Sequence, residues 1–425
     1  MAVNFKFDVD YIREQFPALS ITVNGLPAAF LDGPGGTQVP KRVAEKVNEY
    51  MFYRNANEMG AFKTSQESDQ SVLDARGVFA HFFNCDPEEV AFGENTSSIN
   101  FKLSYAFARA LKPGDEVLIT NIDHEGNRSP WRVLEDFGIV VKCVDIDPET
   151  ITLDFEDFKA KLSDKTKILA INWAANSCGT VSDVKKFIAE AHKYGAVTVV
   201  DAVHYAPHKV IDVKEIDTDI LVCSAYKFFG PHLGVVYVRR ALGDKLVSTR
   251  VMAGDNTEMP LKMETGTLAM ELVNGAAEAV EFIADCGRCH AEQLTDELEG
   301  LSGLRRDIVA GLRAFEIYEE GLANKLREEL SKIDGLKVYG PGAEAPRTST
   351  VSFTIEGVNS NEIAKFFAER GLFVWDGDFY AIATINNVLG LEPAGGFLRV
   401  GFAPYNLMSD VERVIEAVKD FIKTK

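Results

Sequence analysis

At 425 residues the chain exceeds one ordinary hydrophobic core, so two or three domains, or one large α/β unit with a smaller companion, are expected. Its 46% apolar and 26% charged residues match a soluble globular protein and exclude a largely disordered or fibrous chain. With 64 Asp+Glu against 45 Lys+Arg the formal net charge is −19, which repels phosphate backbones and anionic lipid. Neither nucleic acid nor a membrane surface is expected as a partner, and any anionic ligand must be held by local donors.

The N-terminal MAVNFKFDVDYIREQF carries charge throughout, unlike an export or transit signal. No later run reaches the roughly 18 apolar residues of a spanning helix, so a cytoplasmic protein is expected. Helical spacing predicts helices over 39–53 and 65–83. From Glu116 short β-branched runs alternate with amphipathic stretches: EVLIT, IVVKCVDI, KILAINW and AVTVVDA are separated by SPWRVLEDFG, FEDFKAKL and DVKKFIAEAHKYG. That alternation predicts βαβ units around a buried, mostly parallel sheet. DILVCSAY and GVVYVRR add two strands without a helix between them. A charged helical bridge follows over 270–333, then strand STVSFTIEG, helix NEIAKFFAERG, strands LFVWD and LRVGFA, and a closing helix. The expected division is an N-terminal segment (1–30), a large α/β domain (31–290) and a smaller α+β domain (291–425).

The six cysteines, Cys85, Cys143, Cys178, Cys223, Cys286 and Cys289, are sparse and several lie in apolar runs, as expected of reduced thiols. Cys286-Gly-Arg-Cys289-His290 spells a haem-attachment pattern, but such attachment follows export. Two thiols one turn apart on a helix is the better reading.

Two residues carry the first hint of chemistry. Asp201 ends the strand AVTVVDA, and open parallel sheets bind ligands beyond the carboxyl ends of their strands. Lys227 lies between two apolar strands, flanked by Tyr226, Phe228 and Phe229, where desolvation lowers its pKa and frees the amine for attack on carbonyls. Alone, each has a blander reading: a turn cap for the aspartate, a snorkelling stem for the lysine.

Together, VDAVHYAPH and DTDILVCSAYKFFGP resemble the aspartate and lysine segments of class V aminotransferases, especially the cysteine desulfurase and selenocysteine lyase group of fold type I. Further segments continue the resemblance in order: FLDGPGGTQVP, RNANEMGAF, GENTSSIN, NIDHEGNRSPW, NWAANSCGT, METGT and LRVGFAPYN. The branch resembled most is labelled cysteine desulfurase-like, and isopenicillin N epimerases are similar too. The resemblance implies a homodimeric pyridoxal 5'-phosphate enzyme whose large domain holds a mostly parallel seven-stranded sheet. It assigns the cofactor's Schiff base to Lys227, its pyridine nitrogen to Asp201, ring stacking to His124, and the neighbourhood of the ring hydroxyl to His204 and Asn176. Asn95, Thr96, Ser224 and Tyr226 would form the phosphate cup, although Tyr226 replaces the usual histidine. Thr267 would reach the phosphate of the neighbouring subunit, and Arg399 would clamp the substrate carboxylate, its fork matching that geometry. No metal is expected, since Asp123, His124 and Glu125 are consecutive and lack further ligands at a recognisable spacing.

One departure redirects the chemistry. In WDGDFYAIA, Tyr380 stands where desulfurases carry the cysteine that accepts sulfur, and no cysteine follows Cys289. A phenol cannot take up a sulfur atom as a thiolate does. Cys178 is near the expected ring site, but the resemblance places it at a position that is usually apolar, which argues against it as a substitute acceptor. The expectation is therefore cleavage of a Cβ–S or Cβ–Se bond by β-elimination, with epimerase, aminotransferase or a non-catalytic cofactor-binding protein as alternatives. Trp375, Asp376, Asp378 and Phe379 are expected to line the substrate side-chain pocket.

Overall fold

The structure, a computed structural model, describes residues 5–247, 250–251 and 258–425. Seven strands form its main sheet: β1 (Val90–Gly93), β2 (Glu116–Thr120), β3 (Val140–Val144), β4 (Thr166–Asn172), β5 (Val197–Asp201), β6 (Ile220–Ser224) and β7 (Gly234–Val238). Their spatial order is β1-β7-β6-β5-β4-β2-β3. All neighbours pair in parallel except around β7, which runs antiparallel to both β6 and β1. That one reversal is the consequence of the missing helix between DILVCSAY and GVVYVRR, because a parallel return would need a crossover.

Alternation along each strand feeds two cores. Leu169, Ile171, Val200, Leu221 and Val235 face one side with Phe79, Phe82 and Phe282. Ile168, Ala170, Val199, Ile220 and Val222 face the other, with Ile99, Leu103 and Trp131. The helices that cover these faces include α1 (Lys41–Tyr53), α2 (Lys63–Phe83), α3 (Thr96–Ala108), α4 (Val184–His192) and α5 (Met270–His290). The helical bridge is two helices: α5 ends at His290, and α6 (Gly303–Leu330) begins after a break.

A second, antiparallel sheet holds β8 (Leu336–Tyr339), β9 (Thr350–Ile355), β10 (Trp375–Gly377) and β11 (Phe397–Gly401) in the order β8-β9-β11-β10. It packs against α6, α7 (Ser360–Ala368) and α8 (Met408–Lys423) through Leu322, Leu326, Phe353, Phe367, Val400 and Val414. The predicted strand LFVWD divides. Leu372–Phe373 pairs in parallel with Ala29–Phe30, while Trp375–Gly377 joins β11. The N-terminal segment is thereby stitched to the last part of the chain.

All six cysteines are free. In the CxxCH segment Cys286 is buried, and both nitrogens of His290 are engaged, Nε2 accepting from the Asp8 N–H at 3.1 Å and Nδ1 bonded to Cys286 O at 2.7 Å. No helix among the described residues is long and apolar enough to cross a membrane.

Candidate active site

The carboxyl ends of the central strands open into an inner cavity of about 440 Å³. β5 delivers Asp201 to it, and the 3-10 turn after β6 delivers Tyr226 and Lys227. Asp201 is 7% exposed and its Oδ1 accepts from the Val203 N–H at 2.8 Å. Burial raises its pKa to about 6, against the lowering pull of that hydrogen bond and of Lys227. Lys227 Nζ donates to the Pro34 carbonyl in the glycine-rich turn near the N-terminus. Burial, reinforced by Arg399, lowers its pKa to about 7, so the neutral amine is available at neutral pH.

His124 lines both this cavity and an outer one of about 1040 Å³. Its Nδ1 accepts from the Gly126 N–H at 2.8 Å, and burial, then Lys227, then Arg399 push its pKa down to about 4. The ring is neutral. Its chain neighbours point elsewhere: Asp123 is buried against Thr120 and Asn127, while Glu125 accepts from Ser129 Oγ at 2.7 Å and pairs with Arg128. Three consecutive residues thus serve three separate sites, and no metal-binding cluster of three such side chains occurs among the described residues.

His204, 2% exposed, is fixed through Nε2 by Thr348 Oγ1 at 3.0 Å and Thr350 Oγ1 at 2.9 Å. Asn176 donates through Nδ2 to Phe379 O at 3.0 Å and accepts on its carbonyl from Arg399 Nη1 at 2.9 Å. Arg399 is 3% exposed, its guanidinium lies 3.8 Å from the Phe379 ring centroid, and it makes no ion pair among the described residues. Burial lowers its pKa to about 9. At the opposite wall Asn95 caps α3, accepting from the Ser98 N–H at 2.9 Å, and Thr96 Oγ1 meets Ser224 Oγ at 2.7 Å.

Nine of the expected site residues line the inner cavity, and Arg399, Trp375, Asp376, Asp378, Phe379 and Tyr380 line the outer one. Thr267 lines neither and sits in an exposed bend. Tyr380 is 67% exposed, its ring 5.5 Å from that of His124. Phe379 and Tyr380 both adopt left-handed backbone, φ 55° and 56°, a strained pair concentrated at the cavity mouth. No cysteine lines either cavity, and Cys178 is fully buried with its Sγ 3.2 Å from Thr180 Oγ1. Sequence reasoning missed the Pro34 carbonyl, Ser97 and His232. The first two lie inside segments quoted above, and His232 follows the lysine by five residues, but their convergence depends on the fold.

A parallel α/β sheet with a desolvated lysine and a buried aspartate at its carboxyl edge defines a carbonyl-handling enzyme scaffold. The aminotransferase class-V family model matches residues 29–303 and 307–414, so the chain belongs to that family, whose members depend on pyridoxal phosphate. The aminotransferase-like protein FGM3 of Gibberella zeae is 29% identical, covering 97% of this chain and 98% of that protein. A probable cysteine desulfurase of Synechocystis sp. is 28% identical over 97% and 95%. The cysteine desulfurase structure from Thermococcus onnurineus NA1 superposes with a TM-score of 0.84 at 24% identity, covering all of both chains, and shows the shared fold.

The site fits the family's cofactor. Three buried polar atoms of its residues lack partners among the described residues: His204 Nδ1, Asn176 Oδ1 and Arg399 Nε. Orphaned buried groups are costly unless a ligand completes them. The set comprises a neutral amine, a carboxylate, flat-ring neighbours and hydroxyl donors, which suits a planar aldehyde carrying a phosphate.

Proposed function

We propose that this chain is a pyridoxal phosphate-dependent lyase that removes the Cα proton of a small amino acid and expels a Cβ sulfur or selenium by β-elimination. The observation that carries the proposal is a buried amine and carboxylate facing one cavity whose walls contain no thiol. When bound, the cofactor supplies an electron-poor ring that accepts the electron pair left at Cα.

The chain's own residues do the rest. Lys227 would hold the cofactor through its aldehyde carbon, and its amine would move the Cα proton of the substrate. Its lowered pKa keeps the amine able to take that proton. Asp201 would keep a proton on the pyridine nitrogen, where a carboxylate in a dry site is most effective. Arg399, steadied by the Asn176 carbonyl and the Phe379 ring, clamps the substrate carboxylate. His124 would stack its neutral ring on the cofactor, His204 and Asn176 would partner the ring hydroxyl, and Asn95, Thr96, Ser224 and Tyr226 would hold the phosphate. Without a thiolate beside the substrate sulfur, persulfide formation lacks its acceptor, and expulsion of the leaving group remains.

A homodimer is part of the proposal. Phe52 (74% exposed), Tyr53 and Met59 (81% exposed) form an apolar surface at the end of α1 and the loop after it. In such a pair Thr267, exposed and outside both cavities of its own chain, would serve the phosphate site of the neighbouring copy.

Purified protein is expected to show a yellow Schiff-base absorption that Lys227→Ala abolishes, and to release sulfide with pyruvate from cysteine. Persistence of the colour in the variant overturns the lysine's role. Alanine accompanied by enzyme-bound persulfide overturns elimination, and deuterium entering Cα without consumption of the amino acid assigns epimerisation instead.

A further inference from the structure

The start of β7 presses against the N-terminal start of α3. A Cβ on Gly234 would stand 2.7 Å from the carbonyl carbon of Asn95, so glycine is what lets strand and helix cap approach this closely. Two residues earlier, His232 is thereby carried to the wall of the inner cavity, beside Asn95, Thr96, Ser97 and Ser224. Its ring stacks on Tyr226, with centroids 4.7 Å apart and planes 12° from parallel. Tyr226 in turn presents its face to Lys227 Nζ, 4.9 Å from the ring centroid. His232 lines the inner cavity alone, whereas Tyr226 and Lys227 line both. That this cavity receives a ligand is indicated separately by His204, 2% exposed, lining it with an unpartnered Nδ1.

A phosphate monoester approaching a chain of net charge −19 must find its charge partner locally. The helix end and the Thr96 and Ser224 hydroxyls supply dipoles only. Among the basic side chains of the cavity, Lys227 is committed to the aldehyde, and burial holds the His124 and His204 rings neutral. His232, at the exposed rim, is the remaining imidazole.

We infer that His232 grips the phosphate of pyridoxal 5'-phosphate through a ring N–H, with Tyr226 holding the imidazole in place by stacking. The inference rests on the cofactor assignment above and adds a phosphate ligand to it. It explains how a tyrosine can occupy the position before the lysine: Tyr226 serves as the platform, and the donor sits on the next turn of chain.

The test compares dissociation constants for pyridoxal 5'-phosphate and for pyridoxal, which lacks the phosphate, read from Schiff-base absorbance and from tryptophan fluorescence. His232→Ala removes donor and ring, and His232→Phe keeps a ring on Tyr226 without a donor. Both variants are expected to weaken pyridoxal 5'-phosphate roughly tenfold or more while leaving pyridoxal within about twofold of the unaltered protein. Equal weakening of both ligands, no weakening of either, or full retention of phosphate affinity by His232→Phe overturns the role. Failure of the unaltered protein to bind either compound refutes the cofactor assignment itself, a separate outcome.

Discussion

Lys227 shows how one side chain's environment couples function to stability. In the unfolded chain its amine holds a proton up to about pH 10.5, whereas the folded protein releases it above about 7. Between those values the unfolded chain binds more protons, so folding stability rises with pH through that window and the cost is fully present below it. Cofactor-free protein is therefore expected to gain stability relative to Lys227→Met as pH climbs from 7 towards 10, by at most about 1.4 kcal/mol per unit. Urea denaturation of both proteins across that range measures it, and a difference that stays flat contradicts the desolvated amine. The amine and the aspartate were legible in the sequence because apolar neighbours flank each one. The carbonyl of Pro34 and the ring of His232 were not, since what they touch is decided by distant segments. Tyr380 was legible as a departure, but its left-handed backbone was not, because nothing about a tyrosine requests positive φ.

At the scale of elements, the pairing of α5 with α6 depends on two glycines. A Cβ on Gly311 would lie 2.1 Å from the Ile283 carbonyl oxygen, and one on Gly287 would lie 1.9 Å from that of Asp307. Backbone thus meets backbone at the crossing. Gly311→Ala is expected to destabilise the protein by about 1–3 kcal/mol although alanine favours helix. Gly321→Ala, on the same helix with nothing within 4 Å of the added carbon, is expected to stabilise by up to about 1 kcal/mol. Chemical denaturation of the two variants checks the contrast, and equal shifts would contradict the close crossing. The β-branched runs announced six of the seven main strands. The seventh, Val90–Gly93, and the edge strand Leu336–Tyr339 were missed because four residues carry too little periodicity to stand out. LFVWD was read as one strand because its two partners lie far away in sequence, 29–30 for one half and 397–399 for the other.

At the scale of the molecule, Phe52, Tyr53 and Met59 are apolar side chains left exposed close together in sequence on a chain whose net charge is −19. Phe52→Glu combined with Met59→Glu is expected to convert a dimer to a monomer in sedimentation velocity, with secondary structure retained. If Thr267 acts across that interface, the monomer also binds pyridoxal 5'-phosphate less tightly. Unaltered protein that sediments as a monomer refutes the shared site. The large, mostly parallel sheet was readable from the order of runs, whereas the stitch between residues 29–30 and 372–373 belongs to no local pattern.

That stitch governs the timing of assembly on the ribosome. Pro34, which receives the Lys227 amine, is translated long before Arg399. Since the Gly401 N–H donates to the Leu31 carbonyl at 2.8 Å, the earlier segment has no permanent seat until the strand that ends at Gly401 has been made. A nascent chain stalled before residue 397 would carry the lysine and the aspartate without the arginine wall beside them, so the two halves of the site are joined only after that strand has been added.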